Sequence, residues 1–400
     1  MRALVGAVVV ALLPAVAAAQ DDPLPHDTPA SAPASGAGPI AQVAASAQPP
    51  VRLAQRPPVR FQVGKAGGGL KLLGKATGLV YAPDGSTHVL FGNPATIITK
   101  TNKLSLARHH SLFAATFSRD SSRVAMMGTT VEPTFSIFDI NAGKLLLFRI
   151  RRVPAAAFVR GDPARLAYVN DTERGELLLL EVVAPFTAAP RAIRRLRVPS
   201  WYGNRASFSL DGKRAFLHES TTDSFYEVEL ESGKTRQVRL PERESLTIAP
   251  DGSRVCWQSS KAKATRCLRT ADLRLETVAD CTSYAGHLQF DGSGQRLLVE
   301  CSGKYLLADL AAGAVSLLTG VRLHRGGGVS LTSGGSGVSA GSSTYFDFFD
   351  LRRRAFYRVF RPNRDAGELY STDPVPGLPH AVAVGGENDT YGQLFLFTPR

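Results

Sequence analysis

Short runs of apolar residues recur along most of this chain, and each run ends at a turn signal rich in Asp, Gly and Ser. Within the runs, apolar and polar positions alternate or β-branched and aromatic residues dominate, and both patterns favour strands over helices. Residues 245–278, SLTIAPDGSRVCWQSSKAKATRCLRTADLRLETV, contain an apolar run, a PDG turn and three further runs. This arrangement predicts a unit of four short antiparallel strands.

The unit is repeated along the chain at a period of about 40 residues. A large apolar residue followed by a small residue and a turn former marks each copy: Tyr81, Phe117, Phe158, Phe208, Ile248, Phe290, Leu331 and Tyr370. A period of this length with four strands is typical of β-propeller blades. We therefore predict an all-β fold, a β-propeller of eight four-stranded blades. Seven blades stay the alternative, because the third copy is long and the seventh is rich in Gly.

The last copy has no fourth strand of its own. After Tyr370 it contains the runs AVAVGG and QLFLFT and then reaches Arg400. Residues 59–67, VRFQVGKAG, precede the first copy and belong to none. We expect this N-terminal segment to supply the outer strand of the last blade, which would close the ring without leaving a free sheet edge.

The N-terminal residues have a different composition. Residues 1–19 combine a basic Arg2, an apolar stretch and small residues up to Ala19, which is the pattern of a secretory signal peptide. Residues 20–58 are mostly Ala, Pro, Ser and Asp, so we expect a disordered tether there and the propeller over 59–400. No later run has the length of a membrane span. The sequence thus predicts an exported protein, periplasmic or extracellular, and a monomer.

The four cysteines could form two disulfides. Cys256 and Cys267 flank a predicted hairpin and could face each other, while Cys281 and Cys301 would link the entry of the sixth blade to its second strand. We favour these two disulfides, and the other pairings stay open. A zinc site is the rival, but the spacing lacks any C-x2-C element and an exported compartment favours disulfides.

The chain carries 47 Lys and Arg against 34 Asp and Glu. Arginines cluster on or beside the predicted fourth strands: Arg149, Arg151, Arg152, Arg191, Arg194, Arg195, Arg197, Arg236, Arg239, Arg352, Arg353, Arg354, Arg358 and Arg361. Two interpretations stay open: charges that block edge-to-edge pairing, or a basic belt that binds an anionic envelope polymer or lipid. Nucleic acid is not expected, because aromatic residues do not interleave with these clusters.

Catalytic motifs are weak. Residues 337–341, GVSAG, match a nucleophile motif, but Ser339 lies within a predicted strand and not between a strand and a helix. His109 and His110 are adjacent, so their side chains should diverge and not chelate one metal. His218 closes a predicted strand and is expected to face solvent. No P-loop, HExxH or dinucleotide fingerprint is present. We expect no metal, no cofactor and no enzymatic activity.

Loops at one end of the predicted blades are rich in aromatic and polar residues. The candidates for binding a partner are His109, His110, Trp201, Tyr202, Arg205, Tyr284, His287, His324 and Arg325. Aromatic and Arg side chains are common anchors of protein interfaces. The sequence therefore favours a non-enzymatic scaffold that binds a protein or peptide, or an envelope polymer, through one face. The alternative is a propeller hydrolase or lyase with its active site at the channel mouth.

The turn sequences FSLDGKRAF and IAPDGSRVCW also resemble a known family. They are similar to the WD40-like PD40 repeat of TolB-type periplasmic propellers, in which a turn Asp and Gly precede a basic residue and an apolar strand. The resemblance covers about residues 60–400 and implies a propeller that offers its loops to a protein or peptide. The separate α/β domain that TolB-type proteins carry ahead of the propeller has no counterpart here.

Overall fold

Eight small β-sheets make up the protein, and each forms one blade of a propeller. The computed structural model describes residues 40–45, 48–63, 70–92, 94–100, 102–106, 112–128, 135–148, 150, 153–171, 176–188, 190–197, 205–218, 224–240, 246–281, 287–321, 329–341, 345–360, 368–387 and 393–398. The prediction of an all-β propeller with eight blades is confirmed, and the seven-bladed alternative is not found.

Five N-terminal strands precede the blades in the chain: β1 (Ala41–Ala44), β2 (Val51–Arg52), β3 (Ala54–Val59), β4 (Gln62–Val63) and β5 (Leu70–Lys75). Blades 1 and 2 are formed by β6 (Gly78–Tyr81), β7 (His88–Phe91), β8 (Ala95–Ile98), β9 (Lys103–Leu106), and by β10 (Leu112–Phe117), β11 (Arg123–Gly128), β12 (Phe135–Asp139), β13 (Lys144–Phe148). Blade 3 contains β14 (Ala155–Phe158), the 3-10 helix Val159–Gly161, β15 (Arg165–Asp171), β16 (Glu176–Val183) and β17 (Arg191–Arg197). Blade 4 contains β18 (Arg205–Phe208), β19 (Arg214–His218), β20 (Ser224–Glu229) and β21 (Thr235–Arg239).

The remaining blades follow the same order. Blade 5 contains β22 (Thr247–Ile248), β23 (Arg254–Ser259), β24 (Ala264–Arg269) and β25 (Leu275–Asp280). Blade 6 contains β26 (Leu288–Phe290), β27 (Arg296–Cys301), β28 (Lys304–Asp309) and β29 (Ala314–Leu318). Blade 7 contains β30 (Val329–Leu331), β31 (Gly337–Gly341), β32 (Tyr345–Asp350) and β33 (Ala355–Phe360), and blade 8 contains β34 (Glu368–Pro374), β35 (Val382–Glu387) and β36 (Gln393–Phe397).

The N-terminal strand closes the last blade as predicted, but with different residues. β5 pairs antiparallel with β36 and is the fourth strand of blade 8. Of the predicted closing segment, residues 59–67, Val59 ends β3 beside blade 6 and Val63 ends β4 beside blade 7. The inner strand of blade 8 also runs past Tyr370 to Pro374, so its turn comes later than the repeat pattern indicated.

Strands β1 to β4 form a strap along the outside of four consecutive blades. They pair parallel with the outer strands β21, β25, β29 and β33 of blades 4 to 7. The structure therefore differs from the expectation of a disordered tether in the described residues from 41 to 58. Composition misled here because an edge strand offers unpaired backbone groups, and pairing with them needs no large side chains.

Apolar side chains fill the space between neighbouring blades. Each of the eight clusters of buried apolar residues in the described part of the chain lies at one seam between two blades. Phe216 of blade 4 and Trp257 of blade 5 share one of them. Each blade is covered on both faces by its neighbours in this way. Its middle strands are therefore nearly continuous apolar runs in the sequence.

Hydrogen bonds between the turns that follow the inner strands tie the blades together. From the seam between blades 1 and 2 round to the seam between blades 8 and 1, these bonds are Asp84 N to Ser121 Oγ, Arg123 Nη1 to Pro163 O, Arg160 N to Gly212 O, Leu210 N to Pro250 O, Gln295 Nε2 to Asp251 Oδ2, Gly292 N to Ser333 O, Gly334 N to Pro379 O and Tyr81 N to Pro376 O. Gly212 has φ +60°, and a Cβ there would lie 2.2 Å from Phe158 O of blade 3. Only glycine permits this approach of two turns.

The turn aspartates accept hydrogen bonds from backbone N–H groups of their own turns. The Asp211 carboxylate accepts a hydrogen bond from Lys213 N at 3.1 Å, and Asp251 accepts one from Ser253 N at 2.9 Å. Hydrogen bonds of this kind favour the charged carboxylate. Burial alone would raise the pKa of Asp211, but hydrogen bonds from the Ser209 hydroxyl and from Lys213 N lower it below its ordinary value.

Both predicted cysteine pairs lie at bonding distance. Cys256 and Cys267 are directly opposite on β23 and β24 with 1.97 Å between their sulfurs, and the sulfurs of Cys281 and Cys301 are 2.25 Å apart. All four belong to the apolar cluster between blades 5 and 6. The first pair joins two strands of blade 5, whereas the second crosses the seam from the end of blade 5 to β27 of blade 6.

Candidate partner-binding face

The order of strands gives the propeller two unlike faces. Antiparallel strands reverse direction at every connection, so the turns after the first and third strands of each blade lie at one end. We call this end the turn face. The connections after the second strand, and from the fourth strand to the next blade, lie at the other end, which we call the loop face.

Most of the predicted binding residues lie outside the described residues: His109, His110, Trp201, Tyr202, Tyr284, His324 and Arg325. Arg205 begins β18, where its backbone pairs with His218. His287 directly precedes β26 at the loop face of blade 6. In sequence, every predicted residue belongs to the connections that lead into an inner strand or starts such a strand.

His287 lies beside the end of β27. Its carbonyl oxygen accepts a hydrogen bond from Glu300 N at 2.9 Å, which holds the start of blade 6 against the second strand of the same blade. The Nε2 atom of His287 is buried, and among the described residues it has no hydrogen-bond partner. A buried polar atom without a partner costs about 1–3 kcal/mol, so it calls for a physical explanation.

Gln258 brings a second such atom to the same place from blade 5. Its Nε2 donates to Glu300 O at 2.6 Å, so Gln258 and His287 are bonded to the backbone of one residue. The Oε1 atom of Gln258 is buried and also lacks a partner among the described residues. Two residues that each have one buried side-chain atom without a described partner are thus bonded to the same residue at the seam between blades 5 and 6.

Sequence reasoning identified His287 but missed Gln258 and Glu300. Both interrupt apolar second strands, RVCWQS and RLLVEC, just before the strand ends at the loop face. Glu300 also influences Tyr305, whose pKa is raised by burial first and then by the charge and hydrogen bond of Glu300. A polar residue at the loop-face end of an apolar strand was the available signal.

The expectations for His218 and for Ser339 can be compared with the structure. His218 ends β19 but is only 1% exposed, so the expectation that it faces solvent is wrong. The second strand of a blade is covered on both faces by neighbouring blades, and a strand end there is not a surface position. Ser339 lies within β31, fully buried, and donates to Ser330 O at 3.3 Å. Its place inside a strand is the one that the sequence predicted.

Several of the outer-strand arginines are held by carboxylates within their own blade. Arg191 on β17 and Arg165 on β15 share Glu181, at 2.5 and 2.7 Å. In blade 4, Arg236 on β21 and Arg214 on β19 share Glu227 in the same way, at 2.5 and 3.1 Å. These arginines therefore stabilise their own blades. The two interpretations from the sequence, charges that block edge pairing and a basic belt, did not include this role.

The described residues contain no group of three or more His, Cys, Asp and Glu side chains that could hold a metal ion. In the same part of the chain, no helix has the length and apolar character needed to cross a membrane.

Comparisons with known proteins give no family for this chain. No family model matches this chain, so the resemblance to TolB-type propellers stays an expectation. No curated protein matches it either. Among solved structures, the chain is similar to the β-propeller domain of Myceliophteria thermophila Cps50 (Swd1), with a TM-score of 0.47 and 12% identity over 72% of this chain and 96% of that chain.

Proposed function

We propose that this protein is an exported, non-enzymatic β-propeller scaffold that binds a protein or peptide through its loop face. The observation that carries the proposal is that the predicted aromatic, His and Arg residues all belong to connections into inner strands, or start such a strand, so the order of strands groups them at that face. Aromatic and Arg side chains are common anchors of protein interfaces.

Export is supported by the signal-peptide pattern of residues 1–19 and by the two cysteine pairs at bonding distance. The turn-face hydrogen bonds described above support a scaffold role, because they hold neighbouring blades together independently of the loop face. Loops on a rigid framework can differ in sequence without loss of the fold. We place the predicted residues Trp201, Tyr202, Arg205 and Tyr284 in the same interface as His287.

The test is affinity capture from an envelope extract of the source cells with the immobilised mature protein. Two loop-face variants are compared with the native protein: the double change Trp201→Ala with Arg205→Ala, and His287→Leu. We expect both to lose the same captured protein, with affinity at least about 30-fold lower for an anchor worth 2 kcal/mol. His287→Leu should leave the melting temperature unchanged or higher, because it removes a buried polar atom that lacks a partner.

The matched control removes charge at the turn face. The triple change Arg352→Ser, Arg353→Ser and Arg354→Ser alters the turn between β32 and β33 and leaves the loop face intact. Capture that is lost only in this variant, and only at low salt, would identify a nonspecific binder of polyanions and overturn the proposal. Capture that survives in every variant would overturn it as well.

A further inference from the structure

The strap, whose first described strand is β1, covers the outer edges of blades 4 to 7. Within the described residues, β9, β13 and β17 of blades 1 to 3 have no strand on their outer side. Ile40, the first described residue, packs against the apolar cluster between blades 3 and 4. The next edge in the row beyond the strap is therefore β17 of blade 3.

Blade 3 and blade 4 have outer edges of the same construction. In each, an arginine on the fourth strand and an arginine on the second strand share a buried glutamate on the third strand. On blade 4, Arg236 and Arg239 of β21 lie opposite Ala41 and Ala44 of the parallel strand β1. An outer strand with arginines at these positions can therefore pair with an added parallel strand. β17 has the same pattern of arginines.

The charge of β17 indicates the chemistry of its occupant. β17 carries four arginines, Arg191, Arg194, Arg195 and Arg197, and no acidic residue, and the side chains of Arg191 and Arg195 are exposed. The strap contains an ion pair across such an edge, because Arg52 of β2 pairs with Asp280 of the outer strand β25 at 2.6 Å. With the signs reversed, an acidic side chain on an added strand would pair with the arginines of β17.

We propose that the outer edge of β17 is a second docking site, which binds an extended acidic segment of a partner protein as a parallel fifth strand of blade 3. Backbone hydrogen bonds to this edge supply the affinity, as in other cases of strand addition, and the arginines select acidic residues. This site lies on the side of the ring and is separate from the loop face of the proposed function.

The test uses a fluorescein-labelled peptide of alternating Asp and Val as the probe. Its binding to the mature protein is followed by fluorescence anisotropy at moderate salt, with the same peptide methylated at every backbone nitrogen as the control. The control has the same charge but has no backbone N–H donor, so it cannot form the ladder of a parallel strand. We expect the unmethylated peptide to bind and the methylated peptide to bind at least about tenfold more weakly.

Matched variants locate the site. Arg195→Glu reverses a charge on the open edge of blade 3, and Arg239→Glu reverses one on the edge of blade 4 that β1 already covers. We expect the first to weaken binding about tenfold and the second to leave it unchanged. Hydrogen exchange of the native protein serves as a readout that needs no variant, because the peptide should protect amides of residues 191–197.

Three outcomes would overturn the proposal. Equal binding of both peptides would show attraction to charge alone. Binding that appears only after deletion of residues 20–39 would show that the protein's own N-terminal residues occupy this edge. Protection of residues 191–197 that rises with protein concentration without peptide would assign the edge to a second copy of the chain.

Discussion

At the residue scale, the arginine that begins the second strand of several blades connects one blade to the next. Arg214 contacts Glu227 within blade 4 and donates from Nη2 to Asp251 O of blade 5 at 3.1 Å. Arg254 likewise contacts Glu276 within blade 5 and donates to Leu310 O of blade 6. The basic residue that follows the turn in the repeat therefore has a structural role at the seams.

Arg214→Met should destabilise the protein by about 2–3 kcal/mol. The change leaves Glu227, a buried carboxylate, with Arg236 as its remaining ion-pair partner and removes a hydrogen bond between blades. The control is the neighbouring Lys213→Met. The ion pair of Lys213 with Asp211 is exposed, so its loss should change the free energy of unfolding by no more than about 0.5 kcal/mol. Denaturant unfolding of both variants measures the difference, and equal effects would contradict the assigned role.

His88 predicts a pH dependence at the seam between blades 8 and 1. Burial, and then the charge of Lys71 on β5, lowers the pKa of His88 below its ordinary 6.5. Between the lowered pKa and 6.5 the unfolded chain binds more protons than the folded one, so stability should be complete above 6.5 and fall as the pH drops through this window.

His88→Phe should reduce the loss of melting temperature between about pH 7 and pH 5, because Phe retains the stacking on Tyr81 but does not titrate. Calorimetry of the native protein and the variant across this range measures the effect. The other histidines are present in both proteins and cancel in the comparison. Identical pH profiles would show that His88 does not contribute to this window.

At the scale of elements, the sequence predicted the strands of the blades well and the strap not at all. Strands such as RVCWQS and YFDFFD are long apolar runs ended by turn residues, and that pattern depends on side-chain burial. The strap strand AQRPPV is almost wholly exposed and is held by backbone pairing, with Ala54 N donating to Gly313 O. Backbone pairing leaves no periodic signal in the side chains.

The sequence predicted only part of the candidate site, because contacts between two blades leave no signal within a single repeat. Sequence position was enough to place Arg205 and His287 at the entries of inner strands, because the repeat fixes which connections share a face. Gln258 and His287 are far apart in the chain and meet only through the backbone of Glu300. A convergence of this kind depends on how two blades pack, and no single repeat contains it.

At the scale of the whole molecule, the N-terminal strands link half of the blades along their outer edges. The strap crosses from blade 4 to blade 7 before β5 enters blade 8, so one continuous segment contacts five consecutive blades. β1 to β4 add to blades that already have four strands, whereas β5 completes a blade that has only three without it. The two parts should therefore differ in their effect on stability.

A truncation series separates these contributions. A chain that begins at residue 50 lacks β1, which gives backbone bonds and the contact of Val43 with the cluster between blades 4 and 5. We expect it to melt about 2–4 °C lower, corresponding to about 1 kcal/mol. A chain that begins at residue 68 lacks all of the strap but keeps β5, and should show a further loss of similar size for each strand removed.

Removal of β5 should have a much larger effect than any of these steps. A chain that begins at residue 76 exposes the edge of β36 and takes Leu70 and Leu73 away from the clusters on the two sides of blade 8. Because the closing strand joins the first and last blades, its loss opens the ring and should lower the melting temperature by more than the whole strap does. Calorimetry of the three truncated proteins measures the steps. Equal losses for removal of the strap and for further removal of β5 would contradict closure by β5.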